Sequence, residues 1–173
     1  MAKERKIELK CAVDAKELDL LAERAALAER RRAHMLLHSG PDDPVQRLII
    51  ALQPNTYVRP HRHSKQWELL FLHRGRIDVL HFSKAGELLG RRPLDKGTPI
   101  VQIPISEWHG CVVHEPDTVV IEIKPGPYRV NEFADWAPKE GSEQAVEFVR
   151  WVSQASLGQK WPRPALGQKW VSD

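Results

Sequence analysis

Residues 61–75 have the sequence H-R-H-S-K-Q-W-E-L-L-F-L-H-R-G, in which His61 and His63 are separated by one residue. Because alternate side chains of a strand lie on the same face, these two imidazoles point the same way if the segment is extended. Glu68 follows His63 at an odd offset, so it would face away on one continuous strand. A turn at residues 64–66 removes the conflict, because Glu68 then begins a strand of its own.

A fourth side chain of this kind, His109, lies downstream in I-P-I-S-E-W-H, where a strand would place it on the same face as Cys111. Three imidazoles and one carboxylate suit divalent Fe, Mn, Ni, Co or Zn better than Mg or Ca. Four protein ligands on a six-coordinate ion leave two positions for a substrate or dioxygen. We therefore predict one divalent transition metal, bound by His61, His63, Glu68 and His109.

The surrounding chain has the pattern of an all-β domain, with short apolar segments separated by turn residues at roughly 8–12-residue intervals. A weak strand pattern also covers residues 7–13. The turn at residues 73–75 is interpreted as a β-hairpin, and a second tight turn is predicted at residues 85–87. Strands are predicted at residues 45–52, 67–72, 76–82, 88–93, 99–103, 108–113 and 118–124.

Helical patterns flank this region at both ends. Asp14 and Glu17 form a capping-box pattern at the start of an amphipathic helix that is predicted to continue to residues 32–34. Ser142 is a candidate N-cap for a second helix, which Gly158 would stop. The predicted organisation is an N-terminal helical extension packing on the barrel (residues 1–40), a β-barrel (41–130), and a C-terminal helix with a tryptophan-containing tail (131–173).

The C-terminal tail contains an identical repeat, because L-G-Q-K-W occurs at residues 157–161 and again at residues 166–170. Two copies are too few to build a solenoid. Two interpretations remain open. The tail is either a partly flexible duplication, or Trp161 and Trp170 dock it on the barrel or on a partner subunit.

Composition excludes several classes of function. The 173 residues are 42% hydrophobic and 28% charged, as in globular domains, and no apolar segment approaches the ~18 residues that a membrane span needs. The charged N-terminus is unlike a secretory signal, so we expect a cytoplasmic location with Cys11 and Cys111 as free thiols. Although the net charge is +3, no dense basic stripe with interleaved aromatics occurs, so we predict neither nucleic-acid nor membrane binding.

The two metal-ligand segments resemble the paired motifs of the cupin superfamily, G-x5-H-x-H-x3/4-E-x6-G and G-x5-P-x-G-x2-H-x3-N. This resemblance implies a mainly β fold, the cupin-type double-stranded β-helix (jelly-roll) barrel, here with an N-terminal helix and a C-terminal helix and tail. The matching positions are His61, His63, Glu68 and Gly75 in the first motif, and Gly97, Pro104 and His109 in the second.

Three positions depart from these motifs. Asn55 replaces the leading glycine of the first, which is tolerable because asparagine also adopts left-handed backbone. Ser106 replaces the glycine of P-x-G, so that turn is either strained or of another type. Val113 replaces the asparagine. None of the three is a metal ligand, although the residues that surround and orient the ligands would differ from those of the motifs.

Further segments resemble the WbuC family of cupin-fold metalloproteins, which occurs near bacterial genes for surface polysaccharide. The likeness covers roughly residues 14–138 and implies a small sugar-like or carboxylate ligand with a link to polysaccharide biosynthesis. The segments that carry it include P-V-Q-R-L (44–48), Y-V-R-P-H-R-H (57–63), R-G-R-I-D-V-L (74–80) and E-I-K-P-G-P-Y (122–128).

Six other side chains are candidates for contacting an anionic or sugar-like ligand. For any one of them, a surface ion pair or a helix cap is the simpler interpretation. Two histidines four residues apart would be presented together by one helical turn. The candidates are His34, His38, Tyr57, Arg59, His73 and Arg76.

Two functions remain open from sequence. One is a metal-dependent enzyme, an isomerase or an oxygenase, and the other is a non-catalytic binding or sensing module whose metal shapes the pocket. The module is favoured by the lack of an obvious acid–base pair beyond the ligands. A metal-free sugar epimerase of the cupin type would need a His/Asp dyad, so it is disfavoured. We also expect a homodimer, formed through the N-terminal segment, an outer face or the tail.

Overall fold

The computed structural model describes residues 12–162, which form two antiparallel five-stranded sheets and two helices. The helices are α1 (Ala15–Leu27) and α2 (Glu143–Gln154). The strands are β1 (Arg32–Leu36), β2 (Val45–Leu52), β3 (His61–Arg62), β4 (Glu68–Arg74), β5 (Ile77–Phe82), β6 (Leu88–Leu94), β7 (Ile100–Ile103), β8 (Trp108–Val113), β9 (Thr118–Pro125) and β10 (Glu132–Phe133).

The two sheets face each other, and the helices cover their outer faces. The first sheet has the order β1-β2-β9-β4-β7 and the second has the order β10-β3-β8-β5-β6. One apolar cluster fills the space between them, with Leu70 and Val120 from the first sheet and Val79 and Val113 from the second. The mainly β, two-sheet jelly roll with flanking helices that was predicted is therefore confirmed.

Helix α1 lies on the outer face of the first sheet. Asp14 and Glu17 form the predicted capping box, in which each side chain bonds the other residue's backbone N–H. The buried stripe of the helix includes Leu21 and Ala25, and it packs against Ala51 and neighbouring residues of β1, β2 and β9. The helix supports the sheet from outside and contributes nothing to the space between the sheets.

The helix is shorter than predicted, because the chain leaves helical geometry at Ala28 and adopts left-handed backbone at Arg31 (φ 52°). Residues of β1 then pair along their whole length with β2. Pairing with β2 buries Ala33 beneath α1. The local sequence is compatible with a helix or a strand, and the contacts with β2 and α1 select the strand. His34 therefore lies on a strand, and the prediction that one helical turn presents it with His38 is wrong.

The predicted hairpin at residues 73–75 is also wrong. Strand β4 belongs to the first sheet and β5 to the second, so the turn carries the chain from one sheet to the other. The register of β4 against β9 shifts between Leu72 and Arg74, and such bulges bend and redirect a strand. The turn at residues 85–87 does join an antiparallel pair, β5 and β6.

Helix α2 and the first copy of the tail repeat cover the second sheet. Phe148 and Val152 of the helix pack with Phe82 and Trp136. Trp161 joins the same cluster, with its ring centroid 5.3 Å from that of Phe148. The first copy of L-G-Q-K-W therefore docks on its own barrel. Trp170 and residues 7–11 of the strand predicted over residues 7–13 lie outside the described residues, and residues 12–13 are not in a strand.

Two of the departures from the motifs have left-handed backbone, with φ 67° at Asn55 and φ 66° at Ser106. Asparagine tolerates this conformation, as the sequence predicted. Ser106 keeps the conformation in which a glycine is unstrained, and its N–H donates to the carbonyl of His63, 2.9 Å away. The turn before His109 is thereby tied to the metal-ligand segment.

We expect Gly75→Ala to be strongly destabilising. Gly75 has φ +87°, and an added Cβ would lie 2.7 Å from the Cα of Thr118 at the start of β9. The strain of left-handed backbone together with this overlap should lower the free energy of unfolding by about 3 kcal/mol. Gly141→Ala is the matched control, because Gly141 has φ +80° with no heavy atom within 4 Å, and it should lose only about 1 kcal/mol. Urea unfolding measures both, and equal losses would contradict the role of the Thr118 contact.

Candidate metal centre

The four predicted ligands meet between the two sheets, and each sheet contributes part of the set. His61 of β3 pairs directly with His109 of β8 in the second sheet. Glu68 is the first residue of β4 in the first sheet, so the turn after His63 resets its parity as the sequence predicted. One ligand atom from each of these residues lies within 4.8 Å of the others.

The cluster is compact and almost fully removed from solvent. The ring centroid of His61 lies 4.3 Å from that of His109 and 5.1 Å from that of His63. Nε2 of His63 is 2.7 Å from Oε2 of Glu68, and Nε2 of His109 is 4.0 Å from the same oxygen. No ligand is more than 8% exposed. The Nε2 atoms of two histidines therefore surround one carboxylate oxygen at distances that a small cation could bridge.

Backbone carbonyls determine the tautomer of two of the histidines. Nδ1 of His61 is 2.9 Å from the carbonyl oxygen of Arg59, and Nδ1 of His109 is 2.9 Å from that of Glu107. Because a carbonyl oxygen can only accept, Nδ1 carries the proton in both rings, and each neutral ring has its lone pair on Nε2. This is the arrangement that usually orients metal-bound histidines. Nε2 of His109 is buried without a hydrogen-bond partner among the described residues.

The pKa values of the cluster favour deprotonated ligands. Burial, with His109 nearby, lowers the pKa of His61 to about 3, and burial likewise lowers the pKa of His109. Burial alone would raise the pKa of Glu68, but the hydrogen bond to His63 and the adjacent His109 lower it instead. At neutral pH the site therefore holds an anionic carboxylate that accepts a hydrogen bond from Nε2 of His63. Beside it are two neutral imidazoles, His61 and His109, whose Nε2 lone pairs can bind a divalent transition ion.

These residues fit a divalent metal, and an ion bound there would supply Lewis-acid polarisation of a ligand. Without a cation, a buried polar cluster with an unpartnered imidazole nitrogen costs free energy. The ligand set was predicted from spacing and resemblance, and the structure brings all four residues together.

A cavity of about 370 Å³ adjoins the cluster and is lined by His61, Glu68 and His109. Its remaining wall is apolar towards the sheet interior, with residues such as Leu70 and Val79, and charged towards the opening. The volume lies at the small end of the range for ligand sites.

Of the six candidate ligand contacts, His34 and Arg59 line this cavity. The guanidinium of Arg59 lies over the Phe133 ring and donates to the carbonyl of Ala134, while its Nε is buried without a partner among residues 12–162. Tyr57 faces the α2 side, where its hydroxyl donates to the carbonyl of Pro138.

The other three candidates also lie away from the cavity lining. His38 bonds the backbone of Arg47 through Nδ1, and His73 and Arg76 lie near the turn between the sheets. No histidine or arginine that lines the cavity therefore comes from the segment before β2 or from the turn between β4 and β5.

Sequence reasoning missed a buried ion pair in this cavity. Glu122 and Lys124 of β9 both line it, and Nζ of Lys124 is 2.6 Å from Oε1 of Glu122 and 3.9 Å from Oε2 of Glu68. Burial and the charge of Glu68 raise the pKa of Glu122 to about 7, even though Lys124 opposes the shift. The alternation of side chains along a strand could have revealed this pair, because it places Glu122 and Lys124 on the same face as the buried Val120.

The opening of the cavity carries a second group of charges that was not predicted. Glu140, from the loop before α2, accepts from Arg30 and Arg32 at 2.7 Å and 2.5 Å. Arg32 also donates to the carbonyl of Tyr57 at 2.8 Å. These contacts connect the β1 segment to the loop that precedes α2 across the opening.

Comparison with known proteins supports the fold. A family model described as "Domain of unknown function (DUF6016)" matches residues 13–94, and none of the curated proteins matches the chain. Among solved structures, recombinant pro-11S globulin of pumpkin is 15% identical with a TM-score of 0.50, over 62% of this chain and 29% of that one.

Two bacterial structures are similar to a lower degree. KdgF from a Halomonas species is 21% identical with a TM-score of 0.46, over 57% of this chain and 80% of that one. A cupin-2 domain protein from Shewanella frigidimarina is 14% identical with a TM-score of 0.43, over 54% and 80%. At these identities the likeness concerns the fold alone. The two-sheet jelly roll is the feature that this chain shares with the globulin structure.

We expect the metal-free protein to lose stability as the pH falls from about 7 to about 5. An unfolded chain binds a proton on His61 near its ordinary pKa of 6.5, whereas the folded protein binds it only near pH 3. The unfolded state then holds more protons, so the free energy of unfolding falls by up to about 1.4 kcal/mol per pH unit below 6.5 for this group. Thermal unfolding at several pH values measures the slope. It should be shallower in His61→Gln and unchanged in His73→Gln, and equal slopes in all three proteins would contradict the prediction.

Proposed function

We propose that this protein is a cupin-fold metalloprotein that binds one divalent transition metal through His61, His63, Glu68 and His109. The observation that carries the proposal is the convergence of these four buried side chains, whose ligand atoms all lie within 4.8 Å of one another. The neutral tautomers of two of the histidines and the lowered pKa of the carboxylate support it.

We further propose that the protein acts on a small sugar-like or carboxylate metabolite held in the adjoining cavity. The volume of about 370 Å³ and the charged groups at one end support a small polar ligand. A link to surface-polysaccharide biosynthesis is proposed on the WbuC-like sequence segments alone.

The enzyme is favoured over the non-catalytic module by one observation. The module was supported in sequence by the lack of an acid–base pair beyond the metal ligands. The cavity contains such a pair in Glu122 and Lys124, and the pKa of Glu122 is raised to about 7 by burial and the charge of Glu68. A carboxyl group with a pKa near the working pH is suited to transferring protons. Isomerase and oxygenase chemistry both remain compatible with the site, and oxygen uptake by the iron-loaded protein distinguishes them.

The metal site is tested by elemental analysis of protein purified without oxygen. The wild-type chain should contain close to one equivalent of a transition metal. His61→Ala and His109→Ala should each lower metal affinity by at least tenfold to a hundredfold, because each removes one of four ligands. His73→Ala, an exposed histidine outside the cavity, is the control and should keep full occupancy. Full occupancy in both ligand variants would refute the site.

We also propose that the protein forms a homodimer through the part of the first sheet that α1 leaves uncovered. Helix α1 packs on β1, β2 and β9 and meets β4 at Arg74. Within residues 12–162, the outer face of β7 and the adjoining part of β4 have no helix above them. Phe71 and Ile100 are directly paired there and are 40% and 54% exposed. Two neighbouring large apolar side chains on an exposed sheet face are suited to packing against a second copy.

Sedimentation equilibrium at micromolar concentration should show a dimer of the wild-type chain. Phe71→Glu should shift the protein to a monomer, because it would place a charge in the interface. Leu157→Glu changes a more exposed apolar residue (62% exposed) on a different part of the surface and should remain dimeric. A monomeric wild-type protein would refute the proposal.

A further inference from the structure

The pair formed by Glu122 and Lys124 lies beside the metal ligand Glu68, with Nζ of Lys124 3.9 Å from its Oε2. Both side chains come from β9, point between the sheets and are almost fully buried, with 12% and 10% of their side-chain surfaces exposed. Their neighbours on the same face of the first sheet include the apolar side chains of Leu48, Leu70 and Val120, together with Gln46 opposite Lys124 and the metal ligand Glu68. The pair therefore replaces apolar packing at the point where the cavity meets the metal centre.

A buried ion pair of this kind does not by itself stabilise a fold. Removing two charges from water costs about as much as their attraction returns, and well-packed apolar residues of similar volume are often equally stable or better. Isoleucine and valine occupy the neighbouring inward positions of both sheets, as at Ile50 and Val79, so an apolar alternative is sterically natural. The charges at residues 122 and 124 are therefore suited to contacting polar groups, both Glu68 and a ligand in the cavity.

The pair also has unused hydrogen-bonding capacity. An ammonium group has three donors and a carboxylate can accept several hydrogen bonds. Among residues 12–162, Lys124 makes its close contact with Glu122, while its 3.9 Å distance to Glu68 is too long for a hydrogen bond. Both side chains line the cavity, where their remaining donors and acceptors can bind a ligand.

The cavity as a whole favours an anion. Its lining carries four cationic side chains, Arg30, Arg32, Arg59 and Lys124, and three carboxylates, Glu68, Glu122 and Glu140. A divalent ion at the four ligands adds two further positive charges, so the loaded cavity has a positive surplus. Because such charge is costly to bury without compensation, the ligand that best fits carries at least one negative charge.

We propose that Glu122 and Lys124 form a hydrogen-bonding subsite for the hydroxyl groups of the ligand, and that the ligand is a small hydroxy acid. Its carboxylate lies beside the metal centre, and a hydroxyl further along the molecule donates to Glu122 and accepts from Lys124. This inference rests on the proposed metal site and deepens it by naming the class of ligand.

The test compares two acids that differ by one hydroxyl, glycerate and lactate, on Mn²⁺-loaded protein. Binding is followed through the relaxation rate of water protons, which the bound Mn²⁺ enhances. This measurement needs no catalytic turnover. The wild-type protein should bind glycerate about tenfold more tightly than lactate, since a hydrogen bond to a charged group contributes on the order of 1.5 kcal/mol.

The decisive variant changes Glu122→Met and Lys124→Met together. Removing one partner would leave a buried charge, whereas removing both keeps the net charge and the packing volume of the cavity. The ratio of the two affinities should then fall to about one, while the affinity for lactate stays within about threefold. If this variant does not fold, the double variant with glutamine at both positions replaces it, and the ratio should still fall severalfold because charge-assisted hydrogen bonds are lost.

The matched control removes an exposed ion pair, by Asp19→Met with Arg74→Met, whose side chains meet at 2.6 Å outside the cavity. This control should keep the tenfold ratio. Equal affinities in the wild-type protein, binding of neither acid, or a ratio that persists in the double variants would each overturn the subsite. A wild-type protein that does not bind Mn²⁺ or any other transition ion would instead refute the metal site itself.

Discussion

The structure depends on the burial of four polar side chains between two apolar sheets. His61 and His109 are paired across β3 and β8, while Glu68 approaches from the opposite sheet. An imidazole cluster around a carboxylate is costly in such surroundings unless a cation compensates it. Burial and neighbouring charges lower the pKa of His61 and of Glu68, which favours the deprotonated states that a metal requires. The barrel therefore has a polar centre that depends on both sheets keeping their positions.

Each sheet is held in place from its outer side. Helix α1 supports the first sheet through a stripe that includes Leu21 and Ala25, and α2 with Trp161 supports the second through an aromatic cluster around Phe148. Because these contacts lie outside the barrel, the space between the sheets is left for the metal centre and its cavity. The loop before α2 also reaches the cavity opening through Glu140. The packing of α2 on the second sheet therefore affects access to the site.

The buried pair of Glu122 and Lys124 changes the balance between the possible functions. Sequence patterns showed metal ligands without an accompanying acid–base pair, which favoured a binding module. Strand β9 brings this pair within 3.9 Å of Glu68, and the environment raises the pKa of Glu122 to about 7 through burial and the charge of Glu68. The four predicted metal ligands, a carboxyl group with a raised pKa and cationic side chains therefore lie together around one small cavity.

Local sequence determined the strands, the capped start of α1 and the four-residue ligand set, because alternation, capping and ligand spacing are short-range signals. The left-handed backbone at Asn55 was predictable for the same reason. Only the tertiary structure decided that the chain changes sheets at Gly75, that the segment around His34 pairs with β2, and which charged residues face the cavity. These features depend on contacts between residues far apart in sequence, where the pairing partner and the burial it provides outweigh local preference.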